Sequence, residues 1–126
     1  MPSKSILLVD DSDDLITVMT HILAEKGFQV AVAKNGIEAV EYPALDSMDL
    51  IIMDIDMPVM SGIQATFHLR AAGFTRPIIA YSGGVDFQMR ADFISAGFSA
   101  YTEKPVDFVE LESLIRSLLP HHSLNM

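Results

Sequence analysis

Short apolar runs that end in carboxylates constrain this chain more than any other feature. Ser5-Ile6-Leu7-Leu8-Val9 runs into Asp10-Asp11, and Leu50-Ile51-Ile52-Met53 runs into Asp54. Apolar runs without polar alternation read as strands buried on both faces. Between them lie helical segments with their own start and stop signals. Ser12-Asp13-Asp14 supplies an N-cap and an acidic first turn, Leu15, Met19, Ile22 and Leu23 share one helical face, and Gly27 ends the helix. Phe28 to Ala33 reads as the second strand, and Asn35-Gly36 opens a second helix that Pro43 interrupts. After the loop Ile55 to Gly62, the segment Ile63 to Ala72 is helical, and Pro77 to Ser82 is a fourth strand closed by Gly83-Gly84. Val85 to Ala96 reads as helix stopping at Gly97, and Ala100 to Lys104 as a short last strand before Pro105. Asp107 caps a final helix carrying Leu111, Leu114, Ile115 and Leu118, which Pro120 stops. The sum is five β-α units in strict alternation, which implies an α/β fold with a parallel sheet covered by helices on both faces. Ligands of such sheets bind beyond the carboxyl ends of the strands, at the topological switch point.

Composition narrows the function. A length of 126 residues predicts a single domain. With 17 acidic against 8 basic residues and a formal charge of -9, the chain shows no basic patch, so neither nucleic acid nor an anionic membrane surface is an expected partner. The same charge suits a cation site or a basic partner. The absence of cysteine removes disulfides and thiolate chemistry. Apolar runs fall short of a bilayer span, and the opening MPSKSILLVDD reaches carboxylates too early for a signal peptide. A soluble, cytoplasmic protein is expected.

If the strands are parallel neighbours, Asp10-Asp11, Asp54 with Asp56, Ser82 and Lys104 all face one rim. Clustered carboxylates raise one another's pKa unless a cation neutralises them. Hard oxygen ligands with open positions suit Mg2+. Asp54 is then placed as a carboxylate nucleophile toward phosphorus, with Lys104 and Ser82 available to phosphoryl oxygens. Gly83 and Gly84 leave the approach uncrowded.

These motifs, in this order, resemble the receiver domain of two-component response regulators. The resemblance runs from Lys4 to Leu119 and is carried by Asp10-Asp11, by Met53-Asp54-Ile55-Asp56-Met57-Pro58-Val59-Met60-Ser61-Gly62, by Ser82 and by Lys104-Pro105. It implies a flavodoxin-like doubly wound (βα)5 fold with strand order 2-1-3-4-5. It implies one receiver domain over 1–126 with core 4–119 and a tail 120–126, either free-standing like a chemotaxis regulator or cut from a hybrid histidine kinase. Asp54 becomes the phosphoacceptor, served by a histidine kinase or a histidine phosphotransfer protein. Mg2+ (or Mn2+) is held by Asp11, Asp54 and the backbone carbonyl of Asp56, with Asp10 acting through water. Lys104 and Ser82 contact the phosphoryl group, Ser82 and Tyr101 form the switch pair, and the peptide before Pro105 is cis. The output is a binding surface of helix 4, strand 5 and helix 5, for a downstream protein or a second copy, rather than turnover catalysis. Asp56 and Gly84 occupy positions that tune phosphoryl lifetime in this family, and a lifetime that is not exceptionally long is expected.

Blander roles compete at each position. Asp10-Asp11 can serve only as a helix cap, the Asp56 side chain as a solvated acid, Ser82 as a turn residue, and Tyr101 as a core tyrosine. His21 and His68 lie in helices with no carboxylate or second histidine at metal-ligand spacing, and His121-His122 lie in the tail. Met53, Met57 and Met60 read as gap-filling residues. Asp54-Ile55-Asp56 also fits the Asp-x-Asp pattern of haloacid-dehalogenase-like phosphatases, and a receiver-like scaffold that is never phosphorylated is a third possibility.

Overall fold

The computed structural model describes residues 3–83 and 89–119. Five strands, β1 (Ser5–Val9), β2 (Gln29–Ala33), β3 (Leu50–Asp54), β4 (Ile78–Ser82) and β5 (Ala100–Glu103), pair in parallel in the order β2-β1-β3-β4-β5. The helices are α1 (Asp13–Glu25), α2 (Gly36–Val40), α3 (Gly62–Ala71), α4 (Met89–Ala96) and α5 (Phe108–Leu118). The chain order reverses between β1 and β3, so the switch point lies between their carboxyl ends.

The unbroken apolar runs are explained by two cores. Ile6, Leu8, Leu50, Ile52, Ile79 and Tyr81 pack with Met19 and Leu23 of α1 and Leu111 and Ile115 of α5. Their alternate neighbours Leu7, Val9, Ile51, Met53 and Ile78 pack on the other face with Ala39 of α2 and Ala65 and Leu69 of α3. Period-2 alternation therefore sends successive apolar side chains into different cores, and a strand with helices on both sides has no polar face.

Local signals place the helices. Ser12 Oγ accepts from Leu15 N at 3.3 Å, and Asp107 Oδ1 accepts from Val109 N and Glu110 N at 3.0 and 3.1 Å. Ser61 and Gln64 form a reciprocal capping box at the start of α3. Beyond Pro43 the chain makes only the 3-10 turn Leu45–Ser47, so α2 is as short as Pro43 predicts. The start expected for α4 at Val85, the stop at Pro120 and the pair His121-His122 lie outside the described residues. One expectation is corrected: His21 does have a carboxylate neighbour, since its Nε2 meets Glu25 one helical turn on. Both side chains are exposed, and residues four apart share a helix face, so this is a surface pair. Among the described residues no helix is long and apolar enough to cross a membrane.

The start of α3 presses against the end of β3. A Cβ built on Gly62 would lie 2.2 Å from the Asp54 backbone oxygen and 2.9 Å from Met53 Cγ. Gly62→Ala must therefore push the helix away from the strand end, and we expect a loss of about 1–3 kcal/mol by the general cost of overpacking, measurable by urea denaturation. An unchanged midpoint with an unchanged slope would contradict that close approach.

Candidate functional site

Three carboxylates converge at the switch point. Asp10, at the end of β1, is fully buried; its backbone N–H donates to Ala33 O at 3.1 Å, and its Oδ1 accepts from Ser12 N at 2.8 Å. Its Oδ2 is buried and has no hydrogen-bond partner among the described residues. Asp54, the last residue of β3, is 1% exposed. Its Oδ1 accepts from Asp56 N at 3.0 Å and from Lys104 Nζ at 3.1 Å. Asp11 is exposed at the rim, and Asp10, Asp11 and Asp54 each bring a carboxylate oxygen within 4.8 Å of the others.

Burial dominates the electrostatics. Asp54 is pushed up to about 6, chiefly by burial, with Asp10 adding repulsion and the Asp56 N–H and Lys104 opposing. Asp10 is raised as well, again mainly by burial. Both shifts record the cost of anionic charge removed from water. A divalent cation would relieve it, and the orphaned Oδ2 of Asp10 among all-oxygen donors fits a hard ion such as Mg2+.

The remaining residues named from the sequence surround this cluster. Lys104 follows β5, and its peptide bond to Pro105 is cis. Ser82, at the end of β4, is buried, and its Oγ donates to Asp56 Oδ2 at 3.1 Å. The Asp56 side chain is exposed and takes this one hydrogen bond from the site. Tyr101 is half-buried on β5, with Ile55, Ala80 and Phe93 in its core group, and its ring centroid is 6.3 Å from that of Phe93 in α4. Met53 and Met57 are buried and Met60 is half-buried against the core, as gap-filling residues should be. Gly84 lies outside the described residues.

Two further features escaped the sequence reading. Val59, in the loop between β3 and α3, has φ 72° and is 87% exposed, an uncommon conformation for a β-branched residue. The Tyr81 ring carries the Lys104 ammonium, 4.8 Å from its centroid. Nothing in the tyrosine's own neighbourhood in sequence announces this, although the register that pairs Tyr81 with Asp54 puts it one strand from the acid.

Comparison with known proteins agrees with this arrangement. Residues 6–116 match the family model of the response regulator receiver domain. Protein RcaC of Microchaete diplosiphon is 38% identical over 120 residues, which cover 95% of this chain and only 18% of that protein. Two-component response regulator 24 of Arabidopsis thaliana is 37% identical over 113 residues, covering 89% of this chain and 81% of its own length. Among solved structures, chemotaxis protein CheY4 of Vibrio cholerae superposes with a TM-score of 0.88 at 25% identity, covering 94% of this chain and 100% of that one. The response regulator TrrA of Thermotoga maritima, solved in complex with Mg2+-BeF, superposes at 0.81 with 31% identity, covering 92% and 99%. Nothing in the fold or in these matches favours the phosphatase alternative.

The raised Asp54 pKa predicts a pH-dependent penalty. Below an ordinary carboxylate pKa of 3.8, Asp54 is protonated in both the folded and the unfolded chain and costs nothing. As pH rises through its folded value of about 6, the buried group ionises and that stability is lost. Without divalent cation, Asp54→Asn should therefore stabilise the protein by about 2–3 kcal/mol at pH 8, with the gain shrinking toward zero by pH 4. Urea titrations of both proteins across this range check it, and a gain independent of pH would contradict the assignment.

Proposed function

This chain belongs to the response regulator receiver domain family, and on that premise we propose that Asp54 is the phosphoacceptor of its signalling switch. The observation that carries the reading is the Asp54 carboxylate, buried at the end of β3 within 4.8 Å of two further acids and 3.1 Å from the Lys104 ammonium. The donor is a histidine kinase or a histidine phosphotransfer protein. An Asp54 oxygen attacks phosphorus, the new O–P bond forms, and the bond from phosphorus to the donor breaks with its electron pair leaving on the donor. The two hydrogen bonds to Oδ1 orient the carboxylate for this attack. With its pKa near 6, Asp54 is ionised at neutral pH yet more basic than an ordinary carboxylate.

Asp11, Asp54 and the Asp56 backbone carbonyl, with Asp10 through water, would hold Mg2+ (or Mn2+), which would supply charge neutralisation for the incoming phosphoryl oxygens. Lys104 neutralises a further oxygen. Ser82 releases Asp56 Oδ2, its acceptor in the structure, and donates instead to the phosphoryl group. Tyr101 follows inward, and the surface of α4, β5 and α5 changes. A full reversal of a 1:99 population needs about 5.5 kcal/mol of differential stabilisation. Charge-assisted hydrogen bonds contribute roughly 1.5–3 kcal/mol each; Ser82 and Lys104 already donate to carboxylates, so only their gain over those bonds counts toward the reversal. The output is binding to a downstream protein or a second copy, in the cytoplasm, with one phosphoryl group accepted per chain and no steady turnover. The single receiver domain spans 1–126, with its core at 4–119.

Intact mass after incubation with Mg2+ and a small acyl-phosphate donor tests this. One phosphoryl group is expected on the parent and none on Asp54→Asn. A parent that folds and binds Mg2+ but gains neither a phosphoryl group nor a beryllofluoride adduct would leave a silent scaffold as the better description.

A further inference from the structure

Lys104 has a flexible four-carbon stem, and its side chain retains 28% of its exposure. An ammonium so placed needs something besides its counterion to hold it at one point. Among the described residues it meets Asp54 Oδ1 at 3.1 Å and the face of Tyr81, with 4.8 Å from Nζ to the ring centroid. That distance is within the range in which an aromatic quadrupole attracts a cation. The ring cannot follow the lysine. Tyr81 is fully buried in β4, in register with Asp54 on one side and Thr102 on the other, and belongs to the same core as Leu111 and Ile115 of α5. Its hydroxyl is buried and has no hydrogen-bond partner among the described residues, whereas the ring face has a charged one.

We propose that Tyr81 is a positioning residue whose ring face seats the Lys104 ammonium over Asp54. The proposal rests on the reading of Asp54 as phosphoacceptor. It adds that the lysine is kept at the reacting carboxylate by a fixed aromatic surface, which persists when the Asp54 charge is drawn toward an incoming phosphoryl group. The ring is neutral and does not compete for the phosphoryl oxygens, so Lys104 can transfer its hydrogen bond without leaving its seat.

The test uses the full chain, labelled with 13C and 15N lysine, and the variants Tyr81→Phe and Tyr81→Leu. In the parent, the Lys104 ε-methylene protons should be shifted upfield by the ring current. Tyr81→Phe, which keeps the ring, should keep both that shift and the rate of phosphorylation by a small acyl-phosphate donor with Mg2+. Tyr81→Leu should lose the shift and slow phosphorylation by about fivefold, within the range expected for a partly desolvated cation–π contact. An unshifted ε-methylene in the parent overturns the proposal, and so does a folded Tyr81→Leu phosphorylated at the parental rate. If Tyr81→Leu does not fold, the proposal stands on the shift in the parent and Tyr81→Phe, and falls without it. A parent that shows the shift but takes up no phosphoryl group overturns the acceptor reading instead, and with it any part for the ring in the chemistry.

Discussion

The parallel pairing of β1 with β3 is the constraint on which the site depends. Leu8 pairs with Ile52 and Val9 with Met53, so the next residues, Asp10 and Asp54, emerge together at one edge of the sheet. Both are buried, because the sheet carries helices on both faces up to its rim. β4 and β5 then bring Ser82 and Lys104 to the same edge. Shifting β3 by one residue against β1 would exchange its two faces and misplace the acid, which is why the apolar pattern of these strands and the geometry of the site cannot be separated.

The site is costly for the fold. Two carboxylates are held where burial raises their pKa, one with an oxygen that finds no donor among the described residues. Val59 adds a left-handed residue in the loop that leaves Asp54. The cores beneath absorb these costs, and the carboxylates are left in a state that a cation can improve. A protein whose resting site is incompletely satisfied in this way can respond to ligands with a change of population rather than with tighter packing alone.

Much of this was legible in the sequence because strand ends announce themselves. A buried run such as Leu50-Ile51-Ile52-Met53 has to stop, and the first charged residue after it marks the rim. The caps at Ser12, Asn35 and Asp107 are equally local, since a side chain there bonds a backbone N–H two or three residues on. The contacts that escaped are of another kind. Ser82 with Asp56, and Lys104 with Tyr81, join residues from different strands and loops, and each depends on where a rotatable side chain is aimed. Glu25 beside His21 was within reach of the helical spacing and was overlooked.

By itself, then, the amino-acid order determined the alternation of strands and helices, the two-sided burial of the sheet, and the residues that reach its carboxyl edge. These follow from hydrophobic period and from capping chemistry, which act over a few residues. Only the tertiary structure decided that one oxygen of Asp10 has no hydrogen-bond partner among the described residues, that Asp56 accepts from Ser82, that Tyr101 packs with Phe93, and that Lys104 rests on an aromatic ring. Those outcomes depend on desolvation and on side-chain direction, which are set by neighbours far away along the chain.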